Sequence, residues 1–363
     1  MHVLIWHWGR RGAGPLFAAN LAQAMAALPD TRVTLSLAAQ AELLASADPP
    51  ACAWREPTYT SLTGFMLQRL AGLLGKPPPT GRLDALRPDV ALCAMPALLD
   101  GRMQNALMAL HIPYGVVVHD AAAHPGDKLN FLALCQKRLL RKASFIVCLS
   151  THVAGGLRAQ GFGRHGQKLI TLWHPPIRLS PHLPAAHRPG GPLRLLNFGR
   201  LLPYKGLDLL AEALTKLGPA PAFELRVCGE GPDSPALSRL RAMPHVRVEA
   251  RWFKDAEVPA LLEWADAVVL PYREASQSGV AALALAAGRP VLATKVGGLP
   301  EQLSKASAAL LCQPNAEDIS LGLQSLLHKL DEGTVYEGEF CADTEWNKFA
   351  KNLIPPLSIG KIF

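Results

Sequence analysis

The pattern that most constrains this chain is the alternation of short β-rich runs with longer stretches of helical periodicity. In the first half the β-rich runs cover residues 2–6, 32–38, 89–95, 114–120, 145–150 and 168–174. In the second half they cover residues 193–199, 223–229, 246–252, 267–272, 290–294 and 308–312. Apolar strands that alternate with helices are typical of parallel sheets covered by helices on both faces. The sequence therefore predicts an α/β protein.

One segment interrupts this alternation near the middle of the chain. Residues 174–192, HPPIRLSPHLPAAHRPGGP, are too rich in proline and glycine to continue a strand or a helix. The length of 363 residues also exceeds what one hydrophobic core usually organises. We therefore predict two doubly wound, Rossmann-like domains that face a cleft between them, where the carboxyl ends of both sheets would bind ligands.

The predicted N-terminal domain covers residues 1–178, the linker covers 179–192, and the C-terminal domain covers 193–343. The tail, about 344–363, contains the amphipathic stretch TEWNKFAKNL. We expect this tail to form a helix that returns to the first domain.

Composition argues against several classes of protein. Hydrophobic residues make up 49% of the chain and charged residues 18%, which is too apolar for a disordered chain. No apolar run approaches the ~18 residues of a membrane span, and the N-terminus does not resemble a secretory signal, so we expect a cytoplasmic protein. Seven cysteines without a C-x-x-C pair predict neither a disulfide framework nor a zinc site.

The positive charge of the chain is concentrated in its first half. Residues 1–180 contain 18 Lys+Arg and 9 Asp+Glu, whereas the remainder contains 19 and 20. Such asymmetry is typical of a domain that meets an anionic partner, such as a phospholipid surface or a diphosphate-linked acceptor. A basic solvated surface without a specific partner is the alternative.

A strand-to-helix turn in the second half carries two cations. The strand at 193–199 is followed directly by Arg200, and Lys205 lies five residues further on, before an amphipathic helix that begins near Gly206. Arginine as a planar fork and lysine as a mobile point charge are suited to binding a diphosphate. An ordinary loop with two solvated cations has the same spacing.

A second turn in the same half precedes a strongly apolar helix. The residues Gln277, Ser278, Gly279 and Val280 follow the strand at 267–272. A serine at a helix start caps the helix, and the exposed N–H groups of the next residues form an anion site that fits a diphosphate.

The segment from Asn197 to Leu214 resembles the retaining GT-B glycosyltransferases of family four, also called group 1. In that family a G-R-x-x-x-x-K-G turn binds the diphosphate of the sugar donor. Here the turn is matched by Gly199, Arg200, Lys205 and Gly206.

The resemblance extends over most of the chain and implies further donor contacts. Residues 227–232, VCGEGP, look like the family's turn beside the nucleotide, where Gly229 permits close backbone approach and Glu230 is a weaker candidate. Trp252 and Phe253 fall where the family places backbone contacts to the base. The same two rings are equally suited to closing a strand into the core.

Glu274 matches the first carboxylate of the family's E-x7-E motif, which approaches the donor sugar. A plain surface carboxylate is the alternative for this residue. The second glutamate, which binds the ribose in relatives, is absent, because Ala282 lies eight residues after Glu274 and Leu283 lies five before Gly288. Ribose recognition therefore departs from the family pattern.

The first domain has a glycine-rich turn between its first strand and first helix. Gly9, Gly12 and Gly14 also suggest a dinucleotide-binding loop, but no acidic residue ends the second strand before Glu42, which argues against NAD. In the glycosyltransferase interpretation, Gly12 and Gly14 lie close to the donor phosphates and the acceptor.

Two polar residues end the strand at 114–120. His119 and Asp120 stand where a parallel strand usually presents functional groups, and burying them without such a role is costly. The family resemblance implies that His119 contacts the donor sugar or acceptor and that Asp120 orients it or handles the acceptor proton. A structural His–Asp pair is the alternative, and His124 is a weaker candidate.

The resemblance implies a metal-independent reaction in which the acceptor hydroxyl attacks the sugar from the face that the diphosphate leaves. Arg200, Lys205 and the helix start at Gly279 would stabilise the leaving group. The chain needs no resident cofactor, because the nucleotide sugar, of UDP or GDP type, is a co-substrate. The acceptor would be a glycan or a lipid-linked molecule, as in cell-surface polysaccharide or glycolipid synthesis.

Three other functions are weighed against this one. A nucleotide-sugar epimerase needs acid–base carboxylates that the sequence does not offer. A catalytically silent scaffold fits the missing second glutamate. A nucleic-acid-binding module has only the basic first half in its favour and no recognisable motif, so we expect no nucleic-acid partner.

Two amphipathic stretches in the first domain bear on membrane association. Residues 65–76 and 129–143 both end in basic residues, a pattern suited to an anionic bilayer that presents a lipid-linked acceptor. Core helices share this pattern. Peripheral binding to the inner face of the cell membrane is thus a further hypothesis for the N-terminal domain.

Overall fold

The structure is a computed structural model that describes residues 1–46, 48–59, 64, 79–97, 100–122, 130–164, 166–177, 191–333 and 341–359. Most of the predicted linker, the amphipathic stretch at 65–76 and His124 lie outside these residues. The described chain forms two compact units. The first lies within residues 1–122, 130–173 and 346–359, and the second within 174–345.

The first unit is built on a seven-stranded sheet in which every strand pair is parallel. Its strands are β1 (His2–His7), β2 (Arg32–Ala38), β3 (Trp54–Glu56), β4 (Val90–Cys93), β5 (Tyr114–Val118), β6 (Phe145–Cys148) and β7 (Lys168–Thr171). Their order is β3-β2-β1-β4-β5-β6-β7, so the winding direction reverses between β1 and β4. The sequence predicted six of these strands and did not identify β3.

Helices complete the layers of the first unit. They are α1 (Ala13–Ala26), α2 (Thr80–Leu86), α3 (Asp100–Ala109), α4 (Asn130–Lys142), α5 (Thr151–Ala159) and, from the end of the chain, α12 (Ala342–Ile359). The ring of Phe17 on α1 lies 5.0 Å from Trp346 and 6.1 Å from Phe349 between centroids. This aromatic contact fixes α12 to the first unit.

The second unit repeats the same winding with six parallel strands. They are β8 (Leu193–Phe198), β9 (Phe223–Gly229), β10 (Val246–Ala250), β11 (Ala267–Leu270), β12 (Val291–Thr294) and β13 (Ala309–Cys312). The order is β10-β9-β8-β11-β12-β13, with the reversal between β8 and β11. The helices are α6 (Leu207–Thr215), α7 (Pro235–Arg241), α8 (Val258–Trp264), α9 (Gly279–Ala286), α10 (Leu299–Leu303) and α11 (Ala316–Asp331).

The central strands of both sheets are continuously apolar because helices cover both of their faces. Every residue of β4, β5, β11 and β12 is buried. Two doubly wound, Rossmann-like units confirm the predicted fold class. Among the described helices, none is both long enough and apolar enough to cross a bilayer.

The loops that follow β8 and β11 meet through their backbones. Gly206 has a φ of 66°, and a Cβ built there would lie 1.8 Å from the carbonyl oxygen of Pro271. The Arg273 N–H donates to the Tyr204 carbonyl at 2.8 Å. Position 206 requires glycine for two reasons. The backbone is left-handed there, and a side chain would have no space beside the Pro271 carbonyl.

The strain of left-handed backbone and the lack of space at Gly206 can be measured separately. This requires a comparison of Gly206→Ala with an alanine variant of a second glycine that has a similar φ but open space around it. Gly288 has a similar φ of 63°, but a Cβ there meets nothing within 4 Å. We expect Gly288→Ala to lower the free energy of unfolding by about 1 to 2 kcal/mol, the cost of left-handed backbone. Gly206→Ala should cost about 4 kcal/mol or more, because overlap with Pro271 adds to that strain.

Urea-induced unfolding followed by circular dichroism measures both changes. Equal decreases in the free energy of unfolding of the two variants would show that the backbone at Pro271 moves easily to make room for a methyl group.

Candidate functional site

The second sheet brings the two predicted donor-binding turns to one edge. β8 and β11 are neighbours, with Leu196 paired to Val268, so the loops after both strands begin side by side. The side-chain amide of Asn197 on β8 donates to the Val269 carbonyl on β11 at 2.8 Å, which fixes the two strand ends. The carboxyl ends of strands at such a reversal are where doubly wound folds bind ligands.

Two tyrosines position the two predicted cations. The Arg200 guanidinium donates to the Tyr204 hydroxyl at 2.8 Å. The Lys205 ammonium lies 3.8 Å from the centroid of the Tyr272 ring and 5.0 Å from that of Tyr204. Burial raises the pKa of Tyr272 to about 12, so its ring stays a neutral cation–π partner for Lys205. Sequence reasoning missed both tyrosines, although Tyr204 directly precedes Lys205 and Tyr272 lies two residues before Glu274.

Glycines allow the turn after β8 to pack on the turn after β9. Gly199 and Gly229 have φ values of 125° and 152°, and a Cβ at Gly229 would lie 1.6 Å from the Gly199 carbonyl oxygen. The Leu201 N–H donates to the Glu230 carbonyl at 2.8 Å. The Glu230 side chain is exposed. The structure therefore places Gly199, Gly229 and Glu230 together, with Glu230 contributing its backbone to the packing.

The start of α9 is held in place by side chains on both sides. The Ser278 hydroxyl accepts the Ala281 N–H at 3.2 Å and lies 3.4 Å from the Tyr272 hydroxyl. The Gln302 side chain accepts the Ser278 N–H at 2.8 Å and donates to its carbonyl at 2.9 Å. The predicted serine cap is therefore observed.

The same helix start lies next to the cation-bearing turn. A methyl carbon of Val280 lies 3.5 Å from the position of a Cβ at Gly199. Gly279 and Val280 are half-buried. The first turn of α9, where backbone N–H groups give a positive end, thus adjoins the turn that carries Arg200.

The loop between β11 and α9 carries Glu274 and Gln277. Glu274 is exposed and its N–H contacts the Tyr204 carbonyl at 3.4 Å, whereas Gln277 is half-buried. The neighbouring Arg273 forms an ion pair with Asp208 on α6. Within α9, Ala282 is fully buried, so this position could not hold the missing carboxylate without repacking.

The structure favours the core interpretation for Phe253. Its side chain is 5% exposed and packs edge-on against Phe198 at 6.2 Å, so only its backbone remains suited to contact a base. The Arg251 guanidinium covers the same ring at 3.7 Å. Trp252 is half-buried, and its carbonyl accepts a hydrogen bond from Arg251 at 3.0 Å.

In the first unit, the glycine-rich turn wraps around a histidine that sequence reasoning missed. A Cβ at Gly9 or Gly14 would lie 2.4 Å or 2.3 Å from Nε2 of His7. Nδ1 of His7 donates to the Met95 carbonyl at 2.8 Å. Gly12, with a φ of 78°, begins α1. Two of the glycines therefore accommodate the buried imidazole, a requirement that sequence spacing alone does not reveal.

His119 directly follows β5 and lies beside the loop that follows β4. Its side chain is 5% exposed, its Nε2 donates to the Ala94 carbonyl at 3.2 Å, and its ring lies 4.7 Å from Phe17. Asp120 is half-buried, and its carbonyl accepts a hydrogen bond from Gln136 at 3.1 Å. His7 and His119 thus both contact the loop that follows β4.

That loop leads to a buried carboxyl group, Asp100, at the start of α3. Asp100 is 3% exposed and accepts hydrogen bonds from the Trp6 indole at 3.1 Å and the Ala97 N–H at 2.5 Å. Burial raises the pKa of Asp100 to about 7. Burial likewise lowers the pKa of His7 to about 4. Within the described ranges, no three histidine, cysteine, aspartate or glutamate side chains cluster in a way that would hold a metal ion.

Comparison with known proteins finds similarity in both sequence and fold. A family described as "Glycosyl transferases group 1" matches residues 192–329. A GDP-mannose:glycolipid 4-beta-D-mannosyltransferase of Xanthomonas campestris pv. campestris is 32% identical over 163 residues, which cover 42% of this chain and 38% of that protein. A 2-deoxystreptamine glucosyltransferase of Streptomyces kanamyceticus is 26% identical over 69% of each chain.

Among solved structures, Anabaena Alr3699/HepE in complex with UDP-glucose matches 99% of this chain and 98% of its own. Its TM-score is 0.63 at 16% identity, so the likeness shows the fold. The matched segment of the mannosyltransferase spans well under half of that relative.

The shifted pKa values of His7 and Asp100 predict opposite pH dependences of the free energy of unfolding. Between pH 4.5 and 7, neutral His7 makes the folded state more stable as pH rises, because the unfolded histidine then loses its competing proton. Asp100 acts in the opposite direction, because the unfolded carboxyl ionises while the buried one stays protonated. Each contributes about 2 to 3 kcal/mol over this range, at 1.36 kcal/mol per pKa unit.

The variants Asp100→Asn and His7→Gln separate the two contributions. Relative to the native chain, stability of Asp100→Asn should rise from pH 4.5 to 7, and that of His7→Gln should fall. Urea unfolding at both pH values measures this. If the free energy of unfolding changed with pH in the same way in both variants and in the native chain, the pKa shifts of His7 and Asp100 would be contradicted.

Proposed function

We propose that the chain is a retaining, metal-independent glycosyltransferase of the group 1 family, whose model matches residues 192–329. It would move a hexose from a UDP- or GDP-linked donor to a hydroxyl of a glycan or a lipid-linked acceptor. The second unit would bind the donor. The pathway we propose is the synthesis of cell-surface polysaccharide or glycolipid.

The observation that carries this proposal is the grouping of three positive elements at the carboxyl edge of the second sheet. Arg200 and Lys205 are held by Tyr204 and Tyr272, and the start of α9 adjoins the same turn. A diphosphate is the leaving group that such a set stabilises, because each cation and each N–H group meets an oxygen as its charge develops. A solvated loop would not need two buried rings beneath its cations.

The proposed chemistry breaks the bond between the anomeric carbon and the diphosphate oxygen. The electron pair leaves with the diphosphate, and the acceptor oxygen bonds to the anomeric carbon on the same face. The acceptor proton passes to the departing phosphate oxygen, so no protein base is required. Arg200, Lys205 and the N–H groups of Gly279 and Val280 would lower the barrier by stabilising the leaving charge.

The relatives support the substrate classes without identifying the substrate. The mannosyltransferase is named for GDP-mannose and a glycolipid, and the Anabaena structure holds UDP-glucose. A lipid-linked acceptor would place the protein at the inner face of the cell membrane, and the basic first half would favour an anionic surface.

Removal of the lysine tests the donor site. Lys205→Ala should lower kcat/KM by about 100-fold or more, because a preorganised charge on the leaving group is lost. Lys216→Ala is a charge-matched control, since Lys216 is exposed directly after the end of α6 and pairs with Glu212 at 3.0 Å. A donor screen with UDP- and GDP-linked hexoses measures both variants and identifies the nucleotide.

The same screen tests Glu274. If Glu274 approaches the donor sugar, Glu274→Ala should reduce transfer while calorimetric binding of the free nucleoside diphosphate is unchanged. Full transfer by both Lys205→Ala and Glu274→Ala would refute the site. Nucleotide binding without transfer in the native chain would favour a silent scaffold, and interconversion of the donor sugar would favour an epimerase.

The stereochemistry of the product is an independent test. We expect the anomeric configuration of the donor to be kept in the product, as followed by proton NMR during the first turnovers. An inverted product would rule out the proposed same-face attack.

A further inference from the structure

A concave surface of the first unit lies at the amino-terminal ends of its strands, opposite to the carboxyl ends where His119 lies. A cavity of about 960 Å³ is lined by the segments 111–113, 143–145 and 166–168. The first segment directly precedes β5, and the other two end at the first residues of β6 and β7, so the cavity opens at the amino-terminal ends of these strands. His119 follows β5 at the carboxyl end. The cavity is therefore distinct from the residues considered above.

Four cations on two different elements surround this cavity. Lys137 and Arg141 are four residues apart on α4 and so lie on one face of that helix. Arg164 lies in the loop before β7, and Lys168 is the first residue of that strand. All four side chains are exposed. Among the described residues, no carboxylate forms an ion pair with any of them.

The sequence explains this excess of positive charge. Residues 130–177 contain seven Lys+Arg and neither aspartate nor glutamate. The cations at the cavity therefore repel one another with no neighbouring carboxylate in that stretch to balance them. A bound anion would relieve this repulsion.

One side chain fixes the two cation-bearing elements against each other. The Gln167 amide donates to the carbonyls of Leu140 and Ala143 at 2.7 Å and 2.9 Å, at the end of α4. Its oxygen accepts the Gly163 N–H at 3.2 Å. The segment with Arg164 and Lys168 is thus held beside the last turn of α4 before any ligand binds, which reduces the ordering cost of binding.

The walls of the cavity are partly apolar. Phe145 and Phe162 line it and are 2% and 9% exposed, and Met108 at its border is 45% exposed. Met108 and Leu321 are the only large hydrophobic side chains of the described residues with such exposure. The volume also exceeds that of a single phosphate, so the cavity admits a ligand larger than an inorganic ion.

From this arrangement we propose that the cavity is a second anion-binding site, which takes a ligand with more than one negative phosphate oxygen. Arginine matches two phosphate oxygens at once, and lysine supplies a mobile point charge. Four cations exceed what one carboxylate would neutralise. The negative end of the α4 dipole accounts for basic residues in its last turn, but not for Arg164 and Lys168 on the facing segment.

Hydrogen exchange with inorganic pyrophosphate tests the site, because the readout is local. Pyrophosphate should slow amide exchange in the segment 161–168 of the full chain. Protection near Arg200 would report the donor site separately. Vesicles of phosphatidylcholine with and without phosphatidic acid form the second arm, which distinguishes a lipid headgroup from a soluble phosphate.

Adjacent residues on α4 provide a matched control. Lys137→Gln with Arg141→Gln removes two cavity cations, and Arg138→Gln with Lys142→Gln removes the same charge from positions that do not line the cavity. We expect the first double variant to need about tenfold more pyrophosphate for half-protection, which corresponds to about 1.4 kcal/mol. The control should match the native chain within about twofold.

Each outcome decides the proposal. Protection by pyrophosphate that only the cavity variant weakens supports a site for soluble phosphate. Protection by phosphatidic acid vesicles alone, weakened in the same variant, supports a site for a lipid headgroup. Absence of protection in both arms, or equal weakening in both double variants, overturns it. Unchanged circular dichroism of both variants shows that they are folded.

Discussion

The candidate donor site depends on the close approach of backbone at the strand reversal of the second sheet. Gly206 abuts the Pro271 carbonyl, and Gly229 abuts that of Gly199, at distances that admit no side chain. Three turns therefore pack directly on one another, and each has little freedom to shift. Because the cations extend from these turns, their position is set by the backbone before a ligand is present.

The rings of Tyr204 and Tyr272 contact the two cations that these turns carry. Arg200 and Lys205 both lie within 5.5 Å of the Tyr204 ring centroid, so they repel each other in the free protein. The Tyr272 face offsets part of this cost for Lys205, since a cation–π contact contributes from about 0.5 kcal/mol when exposed to about 2 kcal/mol when desolvated. The remaining repulsion favours any ligand that brings negative charge, and a diphosphate brings more than a single carboxylate does.

The sequence predicted the regular elements well and the supporting contacts poorly. Apolar, β-rich runs of five to seven residues predicted twelve of the strands, whereas Trp54–Glu56 is too short to show such a pattern and was missed. The Ser278 cap was predicted because it depends on local sequence. The roles of His7, Tyr204 and Tyr272 depend on residues that are distant in the chain or on the depth of burial, neither of which a motif records.

A parallel sheet also keeps its two edges electrostatically apart. The five residues of β5 span about 16 Å, which is roughly twice the screening length at physiological salt. The exposed cations at the amino-terminal edge therefore lie too far from His119 to contact it directly. Only packed elements connect the basic cavity with the carboxyl edge, and Tyr114 on β5 is one link, because its hydroxyl donates to the Leu139 carbonyl on α4 at 2.8 Å.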